Sequence, residues 1–97
     1  MKPLIIDAEA EAELAEAVDF YEARRPGLGL EFEAAARGAV QTIQADPDLQ
    51  PLRSDGTRRL VMARFPYVIH YVELANEIWV LAFAHTSRKP GYWKRRR

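Results

Sequence analysis

The sequence predicts an α+β domain of order β-α-α-β-β-β, a helical hairpin packed on one face of a small, mainly antiparallel four-stranded sheet. Three observations carry this. Residues 8 to 25 and 28 to 44 place apolar side chains at helical spacing. Residues 58 to 64, 67 to 73 and 78 to 85 are rich in β-branched and aromatic residues bounded by turn signals. A short run, Leu4-Ile5-Ile6, reads as a buried first strand.

Asp7 ends that strand and suits the N-cap of the first helix, because its side chain can accept from an otherwise unpaired amide. Ala10, Leu14, Ala17, Val18 and Tyr21 then share one face, and Glu9, Glu13, Glu16 and Asp19 the opposite, solvated one. Acidic residues crowd the helix start and Arg24-Arg25 its end, complementing the helix dipole. No carboxylate-based active site is indicated there. Pro26-Gly27-Leu28-Gly29 breaks the helix and reverses the chain. The second helix presents Leu28, Phe32, Ala36, Ala39, Val40 and Ile43 inward, and alanines on both stripes let the backbones approach closely.

The connection from Asp46 to Gly56 contains two prolines and an Asp-Gly turn signal, and no glycine-rich phosphate motif. Phe65-Pro66 separates the second strand from the third, and Ala75-Asn76 is the turn into the fourth. Strict alternation along the fourth strand places Ile78, Val80, Ala82 and Ala84 on one face, where small residues suit the helices. Trp79, Leu81, Phe83 and His85 fall on the other. One helical hairpin covers one face of a sheet. Trp79, Leu81 and Phe83 therefore need cover from the tail, from loops or from a partner, each being worth about 1.5–3 kcal/mol when buried.

A chain of 97 residues has room for one domain, residues 1 to 97, with one modest core. The absence of cysteine excludes disulfides and thiolate metal sites, and with only His70 and His85 neither a metal nor a cofactor is expected. No apolar run is long enough to span a bilayer and the first residues are too few for a signal peptide, so the expected location is the cytoplasm, with no membrane contact. Zero net charge hides an asymmetry: residues 1 to 50 hold four basic and eleven acidic side chains, and residues 51 to 97 ten basic and three acidic. A fold built this way either neutralises itself or presents a basic face to an acidic partner. The tail Lys94-Arg95-Arg96-Arg97 reads as solvated cations.

Several segments, taken in order, carry a resemblance. They are Tyr21-Glu22, Pro26-Gly27-Leu28-Gly29, Arg58-Arg59, Arg64-Phe65-Pro66-Tyr67, Ile69-His70-Tyr71 and the run from Ala84 to Trp93 with its His-x-x-Arg. Together with the element order they resemble the RelE/ParE superfamily of bacterial type II toxin–antitoxin systems, over nearly the whole chain. The resemblance implies a small toxin held inactive by a cognate antitoxin that wraps it. The RelE branch cuts messenger RNA on the ribosome, and the ParE branch acts on DNA gyrase.

A nuclease needs a proton-transfer group and cations around one phosphate. Its candidates are His85 for proton exchange, Arg59, Arg64 and Arg88 for phosphate, and Tyr92 as acid or stacking platform. The plainer reading is that His85 bonds a loop, Arg88 pairs with an acid and Tyr92-Trp93 pack as core. His70, between Ile69 and Tyr71, reads as structural. Residues 46 to 57 carry only Arg53 and three aspartates, and no lysine lies between Lys2 and Lys89. This departs from the basic RelE pattern and places the chain nearer the ParE branch. The expected partners are an antitoxin and DNA gyrase, the alternatives being a ribosome-dependent ribonuclease or a non-toxic binding module. The expected partner-binding residues are Trp79, Leu81, Phe83, Arg58, Arg59, Arg88, Tyr92 and Trp93.

Overall fold

The computed structural model describes residues 1–96. Strand β1 (Leu4–Ile6) leads into helices α1 (Ala8–Arg24) and α2 (Leu28–Ala45), followed by strands β2 (Arg58–Val61), β3 (Tyr67–Glu73) and β4 (Ile78–His85). The sheet order is β1-β4-β3-β2; β1 runs parallel to β4 and the other two pairings are antiparallel, so the sheet is mixed. Among the described residues no helix is long and apolar enough to cross a membrane.

Local chemistry sets both ends of α1 and the turn into α2. The Asp7 carboxylate accepts from the Glu9 amide at 2.9 Å, while the Asp7 amide donates to the Val80 carbonyl at 2.9 Å, tying the start of α1 to β4. Gly27 adopts φ +88°, open to glycine at little cost, and turns the chain into α2. Gly27 has no side chain to cap α2, and Glu22 of α1 substitutes for it. The Glu22 carboxylate accepts from the Gly27 amide at 2.8 Å and from the Gly29 amide at 3.0 Å. Gly29 does not belong to the chain reversal. It lies in the first turn of α2, buried against α1, where an added Cβ would stand 2.5 Å from the Val18 carbonyl oxygen.

The helical hairpin packs Leu14, Ala17, Phe32, Ala36, Val40 and Ile43 onto Ile69, Tyr71, Ile78, Val80 and Phe83. Tyr71 is fully buried and its hydroxyl donates to the Pro47 carbonyl at 2.9 Å, so the polar tip is satisfied and the 46–57 connection is held to the sheet. At the other end Tyr21, Phe32, Phe65 and Tyr67 meet with ring centroids 5.0–6.3 Å apart.

Three expectations fail in the sheet and on α1. Strand β2 ends at Val61: Met62 and Phe65 fold inward over the core, and residues 62 to 66 form the turn into β3. Strict alternation on β4 is broken by a bulge, since His70 pairs with Ala82 but Tyr71 with Val80, leaving Leu81 as the extra residue. The faces therefore exchange beyond Val80. Phe83 joins the helix-side core, whereas Ala82 and Ala84 face the open side with Leu81 and Trp93.

The bulge sits where β4 loses its neighbour. Strand β1 pairs only with Ile78 to Val80, so the outer edge of β4 beyond that point needs other partners. Two side chains supply them: the Phe83 amide donates to Glu13 Oε1 at 3.1 Å, and Arg96 donates to the Leu81 carbonyl at 3.0 Å. Glu13 is thus no member of a solvated face; its side chain is only 14% exposed.

Candidate functional site

The open face of the sheet carries Val68, His70 and Val72 of β3, Arg59 and Val61 of β2, and Trp79, Ala82 and Ala84 of β4, and the C-terminal segment folds back across it. Trp93, buried to 4% exposure, stacks on His70 with centroids 4.3 Å apart and an interplanar angle of 24°. Between this stack, the end of β4 and the 46–57 connection lies a cleft of about 340 Å³. Arg53, Arg59, Arg88, Lys89 and Lys94 line it, against one acid, Asp55.

A lock on α1 holds the C-terminal segment in place. Glu13 accepts from the Tyr92 hydroxyl at 2.6 Å and from Arg96 at 2.9 Å, in addition to the Phe83 amide. Arg96 also pairs with Glu9 at 2.7 Å and is 12% exposed, so the expectation of a fully solvated basic tail is wrong at Arg96. Lys94 lies 3.8 Å from Asp55, Arg95 is exposed, and Arg97 lies outside the described residues.

The candidate residues divide. Arg59, His85, Arg88 and Tyr92 meet around the cleft. Arg64 does not: because β2 stops at Val61 it stands past the strand, where it pairs with Glu31 of α2 at 2.7 Å and holds that carboxyl below its usual range. Arg58 is directed away as well. It bonds the Gln50 carbonyl and stands 3.4 Å from Asp48, bracing the connection. The convergence of arginines that a phosphate site demands is therefore reduced to Arg59 and Arg88 among the expected residues, with Arg53 and the two lysines added.

Of the two proton-transfer candidates Tyr92 is engaged by Glu13, whereas His85 is bonded through Nδ1 alone. Burial, then the hydrogen bond to Glu13, raise the Tyr92 hydroxyl far above its ordinary value, and Arg88 and Arg96 lie 4.0 and 5.1 Å from its ring centroid. It is neither an available acid nor an open stacking surface. His85 Nδ1 accepts from the Ser87 amide at 3.0 Å and stands 2.8 Å from its hydroxyl, which leaves the proton of the neutral ring on Nε2, while the ring meets Tyr67 edge-on.

Leu81, Phe83 and Trp93, expected at a partner interface, are 2–4% exposed and buried within the chain. The tail covers Leu81 through Trp93, one of the alternatives the sequence leaves open, and the bulge, which alternation does not foresee, turns Phe83 to the helix side. Trp79 stays partly exposed on the open face, its indole N–H donating to Glu77 at 2.6 Å. The sequence reading puts Glu13 on a solvated face and gives Glu22 no bonding role, whereas both carboxylates bind distant groups. The only signal for Glu13 was its position between Ala10 and Ala17, at i−3 and i+4, on the border of the apolar stripe.

His70 is held by its stack on Trp93 rather than by hydrogen bonds, since its Nδ1 is buried without a partner among the described residues. Burial foremost, then Arg59 and Arg53, push its pKa down to about 4, so the ring is neutral near pH 7. Because the folded state takes up the proton less readily than the unfolded one, this group's contribution is complete above about pH 6.5. It is lost as pH falls toward 4. The maximum loss is about 3 kcal/mol. Thermal melts between pH 6.5 and 4.5 should show a falling Tm that His70→Phe, which keeps a ring against Trp93, largely flattens. An unchanged slope in that variant would assign the fall to carboxylates instead.

Fold and face together define a small α+β domain whose helices close one side of the sheet and whose other side carries a cleft lined by five cations. The family model for the "ParE toxin of type II toxin-antitoxin system, parDE" matches residues 4–90. The chain belongs to this ParE toxin family, and is a toxin of the type II class. Among solved structures, "Chromosomal ParDE TA system from P. aeruginosa" is similar, with a TM-score of 0.79 and 22% identity over 88% of this chain and 96% of that one; it shares the fold. No curated protein matches the chain.

Proposed function

We propose that this toxin is neutralised by direct binding of a cognate antitoxin and that, when free, it inhibits DNA gyrase as a protein ligand, without cleaving RNA. The observation that supports this most is the state of the cleft. It offers cations for binding, yet Tyr92 is tied to Glu13 and His70 is neutral and stacked on Trp93. General acid–base catalysis needs a group within reach of the transferred proton and titrating near the working pH. A binding surface needs only the cations.

The purified chain should inhibit supercoiling by gyrase and leave messenger intact on translating ribosomes, and an antitoxin encoded beside it should relieve the inhibition. Arg59→Ala with Arg88→Ala should raise the inhibitory concentration about tenfold, since two rim charges together contribute about 1–2 kcal/mol. One observation favours a second reading, the RelE-like ribonuclease: Arg59, Arg88 and His85 do share one cleft. Codon-specific cleavage by the wild type, falling about 10²–10⁴-fold in His85→Ala, would establish that reading in place of the first.

A further inference from the structure

The two edges of the sheet are finished differently. Strand β1 is three residues long and follows Pro3, and past its end the edge of β4 is taken by Glu13 and Arg96. No such device covers β2, the last strand in the order β1-β4-β3-β2. The 46–57 connection closes this edge only as far as Thr57, whose carbonyl accepts from the Arg53 amide at 2.8 Å. Neither arginine of the strand guards what remains: Arg58 bonds the Gln50 carbonyl and Arg59 lines the cleft on the open face. Val61 is 63% exposed.

The ladder decides which backbone groups are free, because residues of an antiparallel strand bond alternately to one side and the other. The Met62 amide donates to the Tyr67 carbonyl at 3.0 Å, and the register of Leu60 on Ile69 and Arg58 on Tyr71 continues that series, so these three residues bond β3. Arg59 and Val61 therefore aim amide and carbonyl away from the sheet, where no strand pairs among the described residues. Spaced two apart, these groups complement themselves. A second β2 laid antiparallel about a two-fold axis at Leu60 sets each Arg59 against Val61 of the other copy and closes two reciprocal pairs of N–H···O=C bonds. Centring on Arg59 would oppose two like charges and meet the Thr57 carbonyl already taken, and centring on Val61 would run past the end of the strand.

Behind the edge lies a groove of about 390 Å³ between Ala35, Ala39 and Thr42 of α2 and Leu60 and Met62. The Thr42 hydroxyl is turned back to the Gly38 carbonyl at 3.2 Å, and the one charge at the groove, Arg64, is paired with Glu31 at 2.7 Å. An acidic segment finds no free cation there and a basic one no acid. Charge thus selects a neutral strand, which the Leu60-centred copy supplies.

We infer that the outer edge of β2 is a self-association surface, through which two copies of the chain join their Arg59–Val61 segments about a two-fold axis at Leu60 into one eight-stranded sheet. The axis stands perpendicular to the sheet. Both helical hairpins then lie on one side and both cationic clefts open on the other. Three paired residues span about 10 Å, a smaller contact than the roughly 800 Å² per partner of stable complexes, so the dimer forms at roughly 10–100 µM. The inference goes beyond the proposed function and does not depend on the toxin's target.

Sedimentation velocity of the full chain, from about 5 to 500 µM, should show a reversible passage from monomer to dimer. Val61→Lys sets the introduced lysine opposite Arg59 at two places and should weaken the dimer about tenfold or more. Arg59→Glu combined with Val61→Lys sets opposite charges there and should restore the affinity to within about threefold of the wild type. Hydrogen exchange needs no variant: the Arg59 and Val61 amides should become protected as concentration rises, whereas the Met62 amide, bonded to β3 in the monomer, is protected throughout. A monomer over the whole range, or a dimer that leaves the Arg59 and Val61 amides unprotected, would overturn the edge as the surface. A double variant as weak as Val61→Lys, with both proteins folded by circular dichroism, would overturn the register at Leu60.

Discussion

Glu13→Ala should destabilise the domain by about 2–4 kcal/mol, because one carboxylate satisfies three groups from distant parts of the chain. The Phe83 amide on the exposed edge of β4, the Tyr92 hydroxyl and the Arg96 guanidinium all converge on it. Removal leaves a part-buried amide and a part-buried hydroxyl without acceptors, and Arg96 with only the exposed Glu9 and a carbonyl. The corresponding fall in Tm is about 10–25 °C for a domain of this size. Glu13→Gln keeps an acceptor and should lose about half as much. A double-mutant cycle with Arg96→Ala should show the two effects strongly non-additive, whereas additive losses would mean that Glu13 acts through helix α1 alone.

Gly29→Ala and Gly38→Ala, in the same helix, should move stability in opposite directions. A Cβ at Gly29 would lie 2.5 Å from the Val18 carbonyl oxygen and 2.9 Å from Glu22 Cβ, so backbone must give way and the hairpin must open. The cost is about 3 kcal/mol, or about 10–20 °C in Tm. The same Cβ at Gly38 meets nothing within 4 Å. Alanine there gains about 0.5–1 kcal/mol from the smaller entropy lost on folding. Chemical denaturation of the two variants checks the pair, and a neutral Gly29→Ala would show that the helices can separate without loss of core contacts.

Features set by neighbouring residues were legible in the sequence. Asp7 as a cap, Gly27 as a reversal, the Ala75-Asn76 turn and both helical stripes each follow from side-chain chemistry or spacing within a few positions. The misreadings arose where distant segments decide. Nothing near Leu81 announces a bulge; it lies where a three-residue strand leaves β4 without a neighbour, and with the bulge Phe83 changes face. Arg64 lies within the strand pattern of residues 58 to 64 and is a phosphate candidate beside Arg59 and Arg88, whereas burial of Met62 and Phe65 ends β2 early and Arg64 pairs with Glu31. Arg59, Arg88 and Tyr92 could be picked from their residue types and the family resemblance. Arg53 and Lys94 come from a loop and a tail whose paths only the folded chain defines.

The parallel pairing of Leu4–Ile6 with Ile78–Val80 makes the domain indivisible. The β3–β4 hairpin closes over a short turn, but β1 can find its place only once nearly the entire intervening chain has been gathered in, and the cost of closing so long a loop rises only with the logarithm of its length. Asp7, the residue that leaves this strand, also starts α1, so seating the strand and anchoring the helix are one event at Val80. A cut anywhere between residues 6 and 78 would separate the two halves of that junction onto different fragments. The sheet then survives only through association of the fragments, and its integrity comes to depend on their concentration.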